Sequence, residues 1–152
     1  MIDEAAETMK TLRAIPPVLR ALVSPLDAEQ ARRRPSADEW SVVEVVAHMR
    51  DVEQHAVQRV RRMLTEDTPH LPAFDHEEYV RSGSYADLPL GSTLDEYVEL
   101  RRSHLDVLAG LDPDGWQRPG HHEVHGPVTV ASYEVHVAAE EVDHLAQISR
   151  LL

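Results

Sequence analysis

The sequence predicts an all-α domain, a four-helix bundle with one long crossover between its second and third helices. Aromatic residues make up only 5% of the 152 residues, and the alternation of polar and apolar residues typical of strands is rare. Four long segments instead carry apolar residues at helical spacing, separated by connectors rich in proline and glycine. Because the chain has the length of one ordinary domain and no internal repeat, we expect a single domain over residues 1–152.

The first predicted helix contains a proline pair, and the second begins with a capping signal. The first spans residues 2–23 and contains the pair Pro16–Pro17. Because proline lacks an N–H and clashes with the preceding turn, we expect a kink or a short break at this pair. The second spans residues 41–66 and begins with a Ser-x-x-Glu capping box at Ser41, followed by a sustained apolar stripe.

The third and fourth predicted helices follow a long connector. The third spans residues 93–111, begins with a second capping box at Thr93, and ends at an Asp-Pro-Asp-Gly turn. The fourth spans residues 129–151 and is capped by Thr129. About 26 residues separate the second helix from the third, which is too long for a tight antiparallel turn and favours a crossover.

The charge and the cysteine content exclude several function classes. The chain has 15 basic and 27 acidic residues and a formal net charge of −12, which disfavours sequence-independent binding of nucleic acid. The absence of cysteine excludes disulfides, thiolate metal sites and cysteine nucleophiles. Ten histidines remain, so a metal would be held by imidazole, carboxylate or carbonyl groups.

The beginning of the chain predicts a cytoplasmic protein. Residues 1–4 are acidic overall and have neither the basic nor the apolar region of a targeting signal. No segment approaches the ~20 consecutive apolar residues that a membrane span needs. We therefore expect no membrane partner.

The last predicted helix places two ionisable residues on an apolar stripe. The trace of its inward face runs from Tyr133 through Val137 to Ile148. Glu140 and His144 lie on the same trace, and burying them without partners would cost several kcal/mol. Their i, i+4 spacing lets both side chains bind one metal ion. The same spacing also fits a simple Glu–His hydrogen bond, or a solvated edge of the helix.

The second predicted helix offers a partner for that pair. His48 lies on the flank of its apolar stripe, from where the ring can reach the bundle interior. A half-buried histidine bonded to a backbone carbonyl is the simpler interpretation of His48 alone. Together, His48, Glu140 and His144 would form a divalent-metal site with open positions, and zinc, nickel, iron and manganese all suit such ligands.

The remaining histidines and two acidic residues of the second helix are expected to have structural roles. The histidines before the last helix are interpreted as parts of a flexible polar loop, although one of them can line the mouth of the site: His121, His122 and His125. His55 and His104 are expected on helix flanks, facing solvent or a neighbour. Asp51 and Glu53 are expected on the wet face of the second helix.

Three segments resemble the DinB-like (DinB/YfiT-like) family of helical-bundle metalloenzymes. Residues 41–53, Ser-Val-Val-Glu-Val-Val-Ala-His-Met-Arg-Asp-Val-Glu, are similar to that family's second helix, and Trp40 before them also matches. Residues 122–130 resemble the approach to its last helix, and residues 143–152 its terminal motif. The order and spacing of these segments extend the resemblance to essentially the whole chain.

The resemblance implies an up-down-down-up bundle, often dimeric, that binds a divalent metal through three histidines. His48 and His144 match two of these ligands, whereas the third position holds Glu140. A glutamate can complete a two-histidine, one-carboxylate set, or it can mark a lost or altered site. His136, one turn earlier, can substitute as a ligand or support one through a hydrogen bond.

The resemblance also implies a function. We expect a metal-dependent enzyme acting on a small molecule, of the hydrolase class or the thiol-cofactor-dependent transferase and isomerase class. Because the chain has no cysteine, thiol chemistry would require an external low-molecular-weight thiol. The alternative is a non-catalytic, stress-associated bundle that binds a ligand or a metal. A homodimer is expected in either case.

Overall fold

The computed structural model describes residues 3–152. Within that range, four long helices form the bundle, and short helices and strands lie in the connectors. In chain order the elements are α1 (Glu4–Val23), α2 (Ala28–Arg32), α3 (Val42–Thr65), β1 (His70–Leu71), α4 (His76–Arg81), α5 (Leu90–Ala109), α6 (Pro113–Trp116), β2 (Pro119–His122), β3 (Gly126–Thr129) and α7 (Val130–Leu151). None of the described helices has the length and apolar character to cross a membrane.

The predicted fold class is confirmed, and so are most helix ends. Predicted helices 2–23, 41–66 and 129–151 correspond to α1, α3 and α7, with residue 2 outside the described range. The predicted start at Thr93 is wrong, because α5 begins a turn earlier, after Pro89. Proline fixes a backbone angle compatible with a helix start. Thr93 is therefore inside the helix, where its hydroxyl donates to the Pro89 carbonyl at 2.7 Å.

The bundle has an up-down-down-up topology. Helices α3 and α5 run parallel, since Arg50 pairs with Glu96 and the later Arg61 contacts the later Ser103. Helices α1 and α7 run in the opposite direction. The crossover over residues 66–89 returns the chain to the end where α3 began, as the long connector predicts.

Helix α1 continues through Pro16 and Pro17, so the predicted break does not occur. Pro16 removes the N–H that would bond the Leu12 carbonyl one turn earlier. Arg101 of α5 supplies the missing donor, since its Nη1 donates to the Leu12 oxygen at 2.8 Å inside the core. A side chain from another helix thus compensates for the proline.

Arg101 also belongs to a polar cluster at the centre of the bundle. Its Nε and Nη2 donate to the two oxygens of Glu53 at 2.9 and 2.8 Å, and Nη2 also pairs with Glu141. His104 lies between Glu53 and Glu134, with its ring nitrogens 2.6 and 2.7 Å from their oxygens. All five of these side chains are at most 1% exposed.

This central cluster corrects two expectations. Glu53 does not lie on a wet face, and His104 faces neighbouring side chains in the core rather than lying on a helix flank. Asp51, by contrast, is half-buried, and its carboxylate pairs with Arg50. Buried carboxylates require such compensation because an unpaired charge is costly away from water.

Apolar residues fill the bundle on both sides of the central cluster. One side includes Leu12, Val60 and Leu108, and the other includes Leu19 and Val46. The charged layer therefore lies between two apolar clusters.

The connectors carry a three-stranded sheet, in the order β1-β2-β3, that the sequence did not predict. Strand β1 pairs in parallel with β2, and β2 forms an antiparallel hairpin with β3. Gly120 of β2 lies so close to α3 that a Cβ atom would meet the Met63 sulfur at 2.8 Å. The expected flexible loop is instead an ordered hairpin held against the bundle.

Candidate metal centre

His48 and His144 face each other across the contact between α3 and α7. Their Nε2 atoms are 3.1 Å apart, although 96 positions separate them in the sequence. His48 is 8% exposed, whereas His144 is half-buried. The indole of Trp40 meets the His48 ring edge-on, with the ring centres 5.3 Å apart. The two predicted histidine ligands therefore come together.

The distance between the two nitrogens fits ligands of one metal ion. Nitrogens bound at about 2.0–2.1 Å and separated by an angle of roughly 90–110° lie about 3–3.4 Å apart. The Nδ1 of His144 lies 3.0 Å from the side-chain oxygen of Gln147. An amide oxygen only accepts, so Nδ1 carries the proton and Nε2 keeps its lone pair. The Nδ1 of His48 is buried without a hydrogen-bond partner.

The pKa of His48 favours a neutral ligand. Burial, together with the neighbouring rings of His144 and His76, lowers the pKa of His48 to about 3. A neutral imidazole is the form that binds a metal. The donor set, two facing imidazoles with a carboxylate lining the same cavity, thus fits a divalent ion.

Glu140 does not lie in the bundle interior, contrary to the sequence prediction. Its side chain is exposed, and the buried carboxylates of α7 are Glu134 and Glu141. The inward face is rotated from the predicted trace because Arg101 and His104 of α5 neutralise those two carboxylates. Glu140 still lines the cavity that contains His48.

In residues 3–152, no three potential ligands converge into a complete site in this conformation. His48 and His144 are the two predicted ligands that already face each other. Glu140 follows the same helix face one turn before His144, and its role as the third ligand stays a prediction.

The crossover contributes a histidine that sequence reasoning missed. The ring of His76, at the start of α4, lies 4.9 Å from the ring of His48, and its Nδ1 is buried without a partner. Next to it, His55 of α3 stacks on Phe74 with ring centres 3.5 Å apart. His76 lies in a connector without helical periodicity, so no spacing in the sequence pointed to it.

The hairpin contributes the opposite wall. His122 is buried, and its Nδ1 accepts hydrogen bonds from the backbone N–H groups of Val124 and His125 at 3.0 and 3.1 Å. Burial and the charge of Arg59 lower the pKa of His122 to about 4. The ring of His125 stacks on His136 at 4.3 Å. His136 is exposed and lines the cavity.

Not every loop histidine reaches this cavity. His121 lies on the other side of β2, where its ring stacks near His70 with centres 6.2 Å apart. The cavity itself has a volume of about 240 Å³ and is lined by imidazoles together with Val52, Phe74, Tyr133 and Val137. A volume of this size accommodates a small organic molecule or part of one.

Comparison with known proteins gives a family and relatives. The family model of the DinB superfamily matches residues 11–148. A protein of Oceanobacillus iheyensis named "Putative metal-dependent hydrolase" is 24% identical over 147 residues, which cover 97% of this chain and 84% of that protein. A protein of the same name from Geobacillus thermodenitrificans is 30% identical over 92 residues, 60% of this chain and 52% of that protein.

A solved structure supports the same fold. YfiT from Bacillus subtilis, described as "a probable metal-dependent hydrolase with an unusual four-helix bundle topology", matches with a TM-score of 0.90. The match covers 99% of this chain and 87% of that chain at 20% sequence identity. The bundle and its connection order are therefore shared by the two chains.

Proposed function

The chain belongs to the DinB superfamily, and on that premise we propose that it is a divalent-metal-dependent hydrolase acting on a small molecule. His48, His144 and Glu140 are the proposed ligands. The observation that carries the proposal is the 3.1 Å separation of the two imidazole Nε2 atoms beside a cavity. The names of the relatives support the metal and the hydrolytic reaction.

Several residues of the chain would have separate roles in such a metal site. A bound divalent metal supplies Lewis acidity, which polarises a carbonyl or lowers the pKa of a bound water. Gln147 orients the ring of His144 through its Nδ1. Trp40 and Phe74 restrict water near the imidazoles, because their rings pack against His48 and His55. The phenol of Tyr133 stays protonated, since burial raises its pKa to about 12.

Transfer or isomerisation with a thiol cofactor is a further form of the proposed reaction. The chain has no cysteine, so the thiol would have to enter the cavity as an external cofactor. Addition of a low-molecular-weight thiol would then be necessary for turnover. A hydrolase would turn over its substrate without it.

Metal content tests the proposed ligands. Untagged wild type, His48→Ala, His144→Ala and His121→Ala are purified in parallel and measured by elemental analysis. We expect one divalent metal per chain in wild type and His121→Ala, since His121 lies away from the cavity. We expect little or none in the other two variants. Equal content in all four proteins would contradict the proposed site.

A non-catalytic metal- or ligand-binding bundle is the second candidate, and the exposure of Glu140 favours it. The two candidates differ in whether the metal keeps an exchangeable position. Cobalt-loaded protein is titrated with azide while its visible spectrum is recorded. A spectral change upon azide binding supports the enzyme, whereas an unchanged spectrum supports the binder.

A further inference from the structure

Arg59 of α3 lines the same cavity and has no acidic partner. No Asp or Glu oxygen of the described residues lies within ion-pair distance of its guanidinium. On the same helix, Arg50 and Arg62 are each paired with carboxylates. In a chain with a net charge of −12, an uncompensated cation beside a cavity calls for an explanation.

Neutral groups hold this guanidinium in place. Its Nη1 donates to the Tyr133 hydroxyl at 3.2 Å, and its Nη2 donates to the Pro72 carbonyl at 2.6 Å. The group also lies 5.2 Å from the centre of the Phe74 ring. These contacts orient the cation but leave its charge without a counterion.

One donor of Arg59 is also unused. The Nε atom is buried and has no hydrogen-bond partner. Buried donors are almost always satisfied in folded proteins, by protein atoms, water or a ligand. The contacts with Tyr133 and Pro72 also use only one N–H on each terminal nitrogen, so a second N–H on Nη1 and on Nη2 remains for a carboxylate at the cavity.

The position of Arg59 relative to the imidazole pair suggests the shape of the ligand. Arg59 follows His48 by eleven positions, a rise of roughly 16 Å along a helix, and helical side chains tilt toward the N-terminus. Val52, Phe74 and Val137 form apolar surface in the cavity wall. A ligand reaching from Arg59 toward His48 is therefore apolar in its middle.

We propose that Arg59 binds the carboxylate of a small organic acid whose apolar body lies in the cavity, with its reacting group toward His48 and His144. That this acid is a substrate rests on the proposed function. Binding of the carboxylate itself requires only Arg59 and the cavity, and it takes place without a metal.

A structural role for Arg59 is the competing explanation. The bond to the Pro72 carbonyl connects α3 to the crossover, so Arg59 could serve only to hold that segment. An arginine with only this structural role would not make the cavity bind an anionic ligand more tightly than a neutral ligand of the same shape. The charge of the ligand therefore separates the two explanations.

Benzoate and benzamide provide that comparison, since they share a shape and differ in charge. Their affinities for the full chain are measured by NMR titration after removal of metal with EDTA. Charge-assisted hydrogen bonds predict that benzoate binds about tenfold more tightly, or better. Arg59→Gln is expected to abolish the preference, and Arg59→Lys to keep part of it. Arg61→Gln, on the same helix but exposed, is expected to leave it unchanged.

Equal affinities of wild type for the two compounds would overturn the proposal, without depending on the folding of any variant. Loss of the preference in Arg61→Gln as well as in Arg59→Gln would also overturn it. Because the titration uses metal-free protein, its outcome is separate from that of the metal analysis. If the protein binds no metal but prefers benzoate to benzamide, the result would contradict the proposed function and would still support the carboxylate site at Arg59.

Discussion

Of the three proposed metal ligands, Glu140 is the one whose side chain would have to move to bind the metal. It is exposed at the cavity, whereas the two histidines already face each other. Glu140→Gln keeps the shape and removes the charge, so we expect metal affinity to fall by about tenfold or more. Glu140→His restores a strong ligand and should preserve or strengthen binding. Titration with zinc measures both effects.

Asp143→Asn is the matched control for this prediction. It removes one negative charge from an exposed position of the same helix, and it should leave zinc affinity unchanged. Equal losses in Glu140→Gln and Asp143→Asn would show a general charge effect and contradict a ligand role for Glu140.

His104 predicts a dependence of stability on pH. Burial alone would lower its pKa, but the carboxylates of Glu134 and Glu53 outweigh burial and raise it to about 10. Both ring nitrogens contact carboxylates, so the imidazolium is the form that fits. The folded pKa exceeds the unfolded value of about 6.5. The stabilisation is therefore complete below about pH 6.5 and is lost as the pH rises toward 10.

Urea unfolding between pH 6.5 and 10 measures this loss. The free energy of unfolding of the wild type should fall with a slope of up to about 1.4 kcal/mol per pH unit from this group. His104→Gln should show a flatter profile, and His121→Gln, with its exposed side chain, should follow the wild type. Parallel profiles of wild type and His104→Gln would disprove the assignment.

At the scale of the elements, sequence periodicity predicted helices better than it predicted which face of a helix is buried. Capping and spacing placed α3 and α7 within a residue or two. The rotation of α7 could not be predicted, because the burial of Glu141 depends on Arg101 of another helix. The same reason applies to Glu53, which looks like a surface residue until its partners are known.

The candidate site divides in the same way. His48 and His144 face each other, as the family resemblance and the helical spacing led us to expect, and their binding of a metal stays a prediction. The crossover wall was missed, and the hairpin wall was only an alternative to a flexible loop, because His76 and His122 lie outside the long helices and are positioned by tertiary contacts. The spacing of apolar residues predicts where a helix lies, but it does not predict how a connector packs against that helix.

The compensation between Pro16 and Arg101 predicts an energetic coupling between α1 and α5. Arg101→Met removes the guanidinium that pairs with the buried carboxylates of Glu53 and Glu141 and should destabilise the protein by about 3–5 kcal/mol. Pro16→Ala gives the Leu12 carbonyl a helical donor again, so the cost of Arg101→Met should be smaller in that background by about 1 kcal/mol. A double-mutant cycle from denaturant unfolding measures the difference.

Pro17→Ala provides the matched control for that cycle. The carbonyl that Pro17 leaves without a helical donor is that of Arg13, which is exposed to water. We expect no coupling between Pro17→Ala and Arg101→Met. Equal coupling for both prolines would mean that the Leu12 hydrogen bond is not its source.

For the whole molecule, three exposed valines on two neighbouring helices suggest how two copies associate. Val135 and Val142 of α7 are 36% and 47% exposed, and Val18 of the neighbouring α1 is 46% exposed. We predict a homodimer through this α1–α7 face, as isologous dimers pair identical patches. Light scattering at micromolar concentration should give twice the monomer mass for wild type and the monomer mass for Val142→Glu.

Val124→Glu introduces the same charge at an exposed valine of the hairpin and should leave the dimer intact. A monomeric wild type would contradict the predicted association. A dimer that persists in Val142→Glu but is lost in Val124→Glu would place the interface at the hairpin instead.

The central claim is that the facing imidazoles of His48 and His144 bind one divalent metal. The most direct test is anomalous diffraction from crystals of untagged protein grown with zinc, recorded above and below the zinc absorption edge. We predict one strong anomalous peak per chain, about 2.0–2.1 Å from the Nε2 atoms of both residues. A peak only at the surface histidines, or no peak between these two rings, would contradict the account.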